Sequence, residues 1–155
     1  MKDDDFQVIL KKAMNLCSKS EKCVDDIKKK NQKWGLNPSD IDKIVTKLKE
    51  EGFINHERYA HSFANDKLKF NHWGKKKIAY ALKSKSIEEN IIEKAIDSID
   101  EDLYSRILNE EISKKHKTLV NKEKKVKKQK LIQYLTQKGF EYGKVFEFVE
   151  YKLKK

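Results

Sequence analysis

The chain has 155 residues, of which 39% are charged and 37% hydrophobic, and it carries a formal net charge of +11 with only 5 Gly and 1 Pro. The scarcity of turn residues and the lack of alternating apolar and polar runs predict an all-α protein and exclude a β-sheet fold. No stretch approaches the roughly 20 apolar residues needed to cross a bilayer, so we expect no membrane segment.

The first residues give no targeting signal. Segment 1–5, MKDDD, has no apolar stretch, so a signal peptide is not predicted and we expect a cytoplasmic protein. Cys17 and Cys23 lie six residues apart with no CxxC pattern and no matching pair of histidines. This spacing does not suit zinc, and we interpret both cysteines as reduced, partly buried thiols.

Two helices are predicted before residue 35. An apolar stripe at helical spacing over 6–17 indicates the first. Ser18 and Glu21 have the spacing of a capping box, and a second helix should run from about residue 24 to 34. Gly35 should end it, because the residue after a helix often adopts a left-handed conformation that glycine tolerates.

A third helix should begin at Asn37-Pro38, with the asparagine as N-cap and the proline as first helical residue. Apolar side chains at the i, i+3, i+4, i+7 spacing form its buried face, and Gly52 should stop it. These side chains are Ile41, Ile44, Val45 and Leu48.

This arrangement recurs twice along the chain. Aligning Leu36 with Ile87 and Phe140 brings four more apolar columns into register. They are Ile27/Ile78/Leu131, Ile41/Ile92/Val145, Ile44/Ala95/Phe148 and Val45/Ile96/Val149. The glycine before the first and third anchors is replaced by Ser86 before the second. A shared register over several columns indicates duplication.

We therefore predict three tandem three-helix repeats, over 5–52, 55–98 and 100–154. Each unit is too small to bury much surface alone, so neighbouring units should stabilise one another. Such repetition favours an elongated, curved protein, and we expect it to be a monomer.

Residues 53–87 resemble the RecX family, small bacterial proteins that regulate the RecA recombinase. The matching positions are Phe53, Ile54, Asn55, Arg58, Tyr59, Ala60, Phe63, Gly74, Lys77, Ile78, Leu82, Lys83 and Ile87. His56 departs from the pattern, because an acidic residue is usual there. A less specific resemblance extends from about Leu16 to Leu153 and is weakest over 100–125.

The resemblance implies that the chain binds RecA nucleoprotein filaments along their helical groove and modulates, most often inhibits, RecA activity. It implies no cofactor. The residues agree that no enzyme is expected, since the four histidines show no HExxH spacing and no phosphate-binding glycine loop occurs. No metal site is predicted either.

The basic segments are the candidate binding site. Residues 99–155 hold 15 basic and 9 acidic side chains, a net +6, and nine lysines with a single acid lie between 114 and 130. We assign binding of DNA or filament to these lysines, to a second cluster beside Trp73, and to Arg58. The lysines are Lys114, Lys115, Lys117, Lys122, Lys124, Lys125, Lys127, Lys128 and Lys130, with Lys75, Lys76 and Lys77 in the second cluster. The alternative is a solvated helix face, and Arg58 can also be structural.

The aromatic residues have two interpretations. Tyr59 and Phe63 lie four apart, which is typical of a helix core, and Trp34 and Trp73 each lie next to a glycine at a helix junction. Core packing is the favoured interpretation, and stacking of single-stranded bases on these rings is the alternative.

A stand-alone nucleic-acid-binding protein of helix-turn-helix type, acting without RecA, is the competing function. Such a protein inserts the N-terminal side chains of its second helix into the major groove. Here the corresponding helices begin near Asp40, Glu88 and Glu141, whose carboxylates would be repelled by phosphates. The helix-turn-helix pattern is therefore interpreted as packing geometry.

Overall fold

The computed structural model describes residues 2–154, which fold into nine α-helices without a β-strand. The helices are α1 (Asp3–Lys19), α2 (Val24–Lys33), α3 (Pro38–Glu50), α4 (His56–Asn71), α5 (Lys75–Ser84), α6 (Glu89–Asp97), α7 (Glu101–His116), α8 (Lys124–Gln137) and α9 (Tyr142–Leu153), with a 3₁₀ turn (Lys117–Leu119) after α7. The all-α prediction is confirmed. Within this described part, no helix combines the length and apolar character needed to cross a membrane.

The start of α3 follows the predicted capping. The Asn37 side chain accepts a hydrogen bond from the Asp40 backbone N–H at 2.9 Å, and Pro38 is the first helical residue. Gly35 ends the preceding turn with φ of +81°, in the left-handed region that glycine adopts without steric cost. These local predictions are confirmed because each depends on residues only a few positions apart.

Helix α2 begins at Val24, as predicted, but the predicted capping box of Ser18 and Glu21 is wrong. The capping box before α2 is formed by Cys23 and Asp26, because α1 continues through Ser18 to Lys19. The Asp26 carboxylate accepts a hydrogen bond from the Cys23 backbone N–H at 3.3 Å. Helix α5 begins at Lys75, so the three lysines of segment 75–77 form its first turn.

The predicted repeat is visible as a turn of the same geometry that occurs three times along the chain. At each copy the anchor residue donates its backbone N–H to a carbonyl five residues earlier, and the residue before it has a positive φ. The bonds are Leu36 to Asn31 at 3.2 Å, Ile87 to Leu82 at 3.2 Å and Phe140 to Leu135 at 3.1 Å. Ser86 adopts φ of +63° where the other copies have glycine. This is the Schellman pattern that ends a helix and directs the chain into the next one.

The buried side chains form two separate cores. Helices α1–α3 enclose one, which includes Leu10, Ile44 and Leu48. Helices α4–α9 share the other, which runs continuously from Leu68 to Val149 and also includes Cys23. Stabilisation by a neighbouring unit therefore holds for the second and third groups of helices, whereas the first group has a core of its own.

The second and third groups meet through their backbones. The Gly74 N–H donates to the Lys138 carbonyl at 2.7 Å, and the Lys76 N–H donates to the Gly139 carbonyl at 3.0 Å. A Cβ atom at Gly74 would lie 2.1 Å from the Phe140 nitrogen. This contact requires glycine, and it locks the start of α5 against the turn between α8 and α9.

A buried carboxylate stabilises the same junction. Glu111 on α7 is 2% exposed, and it accepts hydrogen bonds from His72 Nδ1 at 3.0 Å and from the Tyr134 hydroxyl at 2.8 Å. Lys138 Nζ lies 3.2 Å from the same carboxylate. Burial acts to raise the pKa of Glu111, but the hydrogen bonds from these three partners outweigh burial and hold the pKa below its usual value.

The junction between the first and second groups is mainly polar. His56 Nε2 accepts a hydrogen bond from the Val24 backbone N–H at 3.2 Å, and His56 Nδ1 lies 3.1 Å from the Glu88 carboxylate. Lys85 Nζ pairs with Asp26 at 2.8 Å. His56, the residue that departs from the family pattern, therefore bridges two groups of helices.

The surface area agrees with an elongated arrangement. The accessible surface is 9781 Å². A compact monomer of 18.4 kDa should expose about 8,200 Å². The excess, about a fifth, is what helical groups arranged in a row would produce.

Candidate functional site

The predicted basic segment covers the end of α7, the 3₁₀ turn, the following loop and α8. Six of its lysines are exposed and three are half-buried. The exposed ones are Lys114, Lys117, Lys122, Lys124, Lys125 and Lys130, and the half-buried ones are Lys115, Lys127 and Lys128. The segment is therefore a solvent-facing basic surface with a few lysines packed against the protein.

The first turn of α8 is electrostatically unfavourable for the isolated protein. Lys124 and Lys125 occupy it without an acidic residue or a side-chain cap in the turn, and they outnumber the single acid beside them, the N-cap residue Glu123. Cations near a helix N-terminus oppose the helix dipole, typically at a cost of about 0.3–1 kcal/mol each. A bound anion would remove this repulsion, so the arrangement favours a negatively charged partner.

The C-terminal end of α9 brings further lysines to this surface. A hydrogen bond from Lys128 is the largest of the influences that lower the pKa of Glu150. The nearby charges of Lys154 and Lys124 lower this pKa further. On the neighbouring side, burial followed by the charges of Lys127 and Lys152 lowers the pKa of His116.

We call these five lysines of α8 and of the α9 end the basic hairpin. They are Lys124, Lys127, Lys128, Lys152 and Lys154. Sequence reasoning missed the last two because they lie more than 20 residues from the lysine-rich segment, and the charge of the last third of the chain was the only signal for them.

Some lysines of the predicted site are already engaged. Lys128 pairs with Glu150, and its Nζ lies 4.5 Å from the centroid of the Phe146 ring. Lys115 Nζ lies 5.1 Å from the Tyr134 ring centroid. These contacts hold both lysine side chains in place. Their ammonium groups add to the local positive potential but have little freedom to reach a partner.

The cluster at 75–77 lies mostly within the junction between the second and third helical groups. Lys75 pairs with Glu101, and its side chain is only 17% exposed. Lys77 Nζ lies 4.6 Å from the Trp73 ring centroid. Lys76 is the exposed member of the three. This cluster therefore differs from the basic hairpin, because two of its three lysines hold the fold together.

Arg58 also makes intramolecular contacts. Its Nε donates to the Glu21 carboxylate at 3.0 Å, and Nη2 donates to the Gly52 carbonyl at 2.9 Å. This arginine therefore connects the first group of helices to α4, which agrees with the structural alternative considered for it.

Positive charge is the main property of the site. Within residues 2–154, no group of three or more His, Cys, Asp or Glu side chains is arranged to hold a metal ion. Cys17 and Cys23 are free thiols, and burial raises the pKa of each. What the geometry provides is an extended basic face that can bind a polyanion.

The fold and this face define a class of basic proteins built from tandem three-helix domains. Two family models match within the chain, one described as "RecX, second three-helix domain" over residues 55–96 and one as "RecX, third three-helix domain" over 102–149. Together they take in more than half of the chain, which belongs to the RecX family.

Curated relatives agree with this membership. The regulatory protein RecX of Clostridium perfringens strain 13 is 29% identical over 144 residues, covering 92% of this chain and 67% of the relative. That of Clostridium botulinum strain Eklund 17B is 34% identical over 134 residues, covering 85% and 61%. The chain thus spans about three fifths to two thirds of the length of these two relatives.

Solved structures show the same fold. A crystal structure of regulatory protein RecX superposes with a TM-score of 0.85 at 22% identity, covering 95% of this chain and 73% of the other. The crystal structure of RecX from Lactobacillus salivarius gives a TM-score of 0.84 at 24% identity and covers 99% of both chains. The tandem three-helix architecture is therefore shared over nearly the whole chain.

Proposed function

We propose that the protein binds RecA nucleoprotein filaments and modulates, mainly inhibits, the recombinase and ATPase activities of RecA. Membership of a family of regulatory proteins supports the proposal, and the observation that carries it is the basic hairpin. The protein would act by binding, as a cytoplasmic monomer and without enzymatic turnover.

The helical groups suit a repeating partner. We propose that the units 5–52, 55–98 and 100–154 contact successive positions along a helical polymer, so that weak contacts combine into strong binding. The shared core of the second and third groups would present them as one rigid surface. The basic hairpin would then face DNA phosphates or an acidic surface of the filament.

Charge reversal at the hairpin tests this proposal. The test variant replaces Lys124, an exposed lysine of the hairpin, and its exposed neighbours Lys122 and Lys125 with glutamate. Lys128 is left unchanged because it pairs with Glu150. Acidic side chains suit a helix N-terminus, so the replacements at the start of α8 should not weaken the helix. We expect filament affinity to fall. The negative slope of the logarithm of the binding constant against the logarithm of salt concentration should become less steep by about 2 to 3.

A matched control changes the net charge equally at a distance from the hairpin. It replaces the exposed residues Lys11, Lys29 and Lys43 of the first helical group with glutamate. We expect it to retain more filament affinity and more inhibition of RecA-catalysed strand exchange than the test variant does. Equal losses in both variants would mean that overall charge matters and that the hairpin has no special role.

The second candidate function is nucleic-acid binding without RecA, favoured by the exposed lysines of α8. Comparing bare single strands with RecA-coated strands distinguishes the two. The main proposal expects tighter binding to the coated strands, together with an effect on RecA ATPase activity at substoichiometric protein. Equal binding to both strands without any effect on RecA would support the second function.

A further inference from the structure

Two exposed aromatic rings stack on the surface of the third helical group. Tyr142 and Phe146 lie one helical turn apart on α9 and are 59% and 38% exposed. Their ring centroids are 6.1 Å apart, and the ring planes differ by 29°. The other ring pairs in residues 2–154 include at least one buried or half-buried ring, so they lack this accessibility.

This ring pair adjoins the basic hairpin. Lys128 of the hairpin lies over Phe146, with Nζ 4.5 Å from the ring centroid. A surface groove of about 660 Å³ begins beside Phe146 and extends to Lys154 at the end of α9. Glu147 and Glu150 also line the groove, but Glu150 is paired with Lys128. Aromatic rings and two lysines therefore share one surface, on which one of the two carboxylates is paired.

The aromatic residues singled out from the sequence cannot serve in the same way. Tyr59 is 6% exposed and belongs to the core. Trp73 has two ammonium groups near its ring, with Lys67 Nζ at 4.9 Å and Lys77 Nζ at 4.6 Å from the centroid. A base would have to displace these lysines before it could stack on the indole ring.

We propose that the Tyr142 ring, supported by its stacking contact with Phe146, is a stacking platform for unpaired nucleic-acid bases, with Lys124, Lys127, Lys152 and Lys154 of the basic hairpin binding the adjacent phosphates. Exposed aromatic rings beside a basic surface are the two components that single-strand-binding sites combine. Bases within a duplex are already stacked on one another, so the platform should favour single strands. This inference rests on the proposed function, since it assigns the hairpin a nucleic-acid partner.

The test compares two strands that carry the same number of phosphates. One is a fluorescently labelled oligothymidylate, and the other has the same length with abasic sites in place of the bases. We expect the wild-type protein to prefer the base-bearing strand by roughly five- to 150-fold per stacked base. A duplex of equal length should bind without this advantage.

Three variants identify the ring responsible for the preference. Tyr142→Ala should lose the preference for bases while keeping its affinity for the abasic strand. Tyr142→Phe should retain the preference, because the ring is conserved. Tyr80→Ala is the matched control, since Tyr80 is 74% exposed on α5, in another helical group.

Equal affinity of the wild-type protein for both strands, or no binding to either, would overturn the platform. So would a Tyr142→Ala variant that loses affinity for both strands alike, because the ring would then serve a different contact. Filament binding is measured separately with the charge-reversal variant. A failed platform with intact filament regulation would therefore leave the proposed function standing.

Discussion

Alanine at Gly74 should force apart the second and third helical groups. The added Cβ would lie 2.1 Å from the Phe140 nitrogen, and ordinary contact begins at 3.4 Å, so the two backbones must separate by 1.3 Å. Gly74 has φ of −76°, which alanine adopts freely. The substitution therefore tests the close approach of two backbones and not a strained backbone angle.

The expected cost follows from the contacts that would be lost. Separation weakens two hydrogen bonds, from the Gly74 N–H to the Lys138 carbonyl and from the Lys76 N–H to the Gly139 carbonyl, at about 1 kcal/mol each. Forcing extra volume into a packed junction adds about 1–3 kcal/mol. The free energy of unfolding should fall by about 3–5 kcal/mol, and the urea midpoint by roughly 1–3 M.

Two control variants isolate the cause. Gly74 is the N-cap of α5, where alanine is also a poor cap. Gly74→Ser restores a good cap but keeps the Cβ, so it should destabilise the protein as well. Gly143→Ala lies in α9, where nothing beyond its chain neighbours and its own helix backbone comes within 4 Å of the new methyl group, and it should stabilise the protein by up to about 1 kcal/mol. A Gly74→Ala variant within about 0.5 kcal/mol of wild type would refute the reasoning.

Two further changes concern buried polar groups. Asn31 is fully buried, and within residues 2–154 its amide has no hydrogen-bond partner. Leu82 and Leu135 occupy its column in the other repeats, so Asn31→Leu should raise the free energy of unfolding by about 1–3 kcal/mol in urea denaturation. Destabilisation would instead indicate that the amide has a partner. Glu111→Gln should lower stability at pH 7 by about 1–3 kcal/mol. Because the folded-state pKa of Glu111 is depressed, its carboxylate stabilises the fold above the unfolded pKa, and this stabilisation is lost as pH falls through the folded pKa. Below about pH 4.5 the free energy of unfolding should therefore fall less in the variant than in the wild type. Parallel pH profiles for the two proteins would contradict this role of Glu111.

Features that depend on local spacing could be predicted from the amino-acid sequence alone. Gly35 and Asn37 mark a helix end and the following helix start through contacts a few residues long. The repeat was visible because the same turn requires an apolar anchor each time. Ser86, which stands where the other two repeats have glycine, also adopts a left-handed φ, so the three positions are equivalent. Helical periodicity and capping are properties of short segments, so they can be predicted without the tertiary structure.

The way these segments combine became clear from the three-dimensional fold. It placed Gly74 against Gly139, 65 residues away along the chain, and thereby joined two helical groups while leaving the first with a separate core. It also brought Lys154 and Lys124 near the same carboxylate, that of Glu150, and left Tyr142 exposed. Such contacts depend on how side chains from distant segments meet, and no local pattern specifies which ring or lysine remains at the surface.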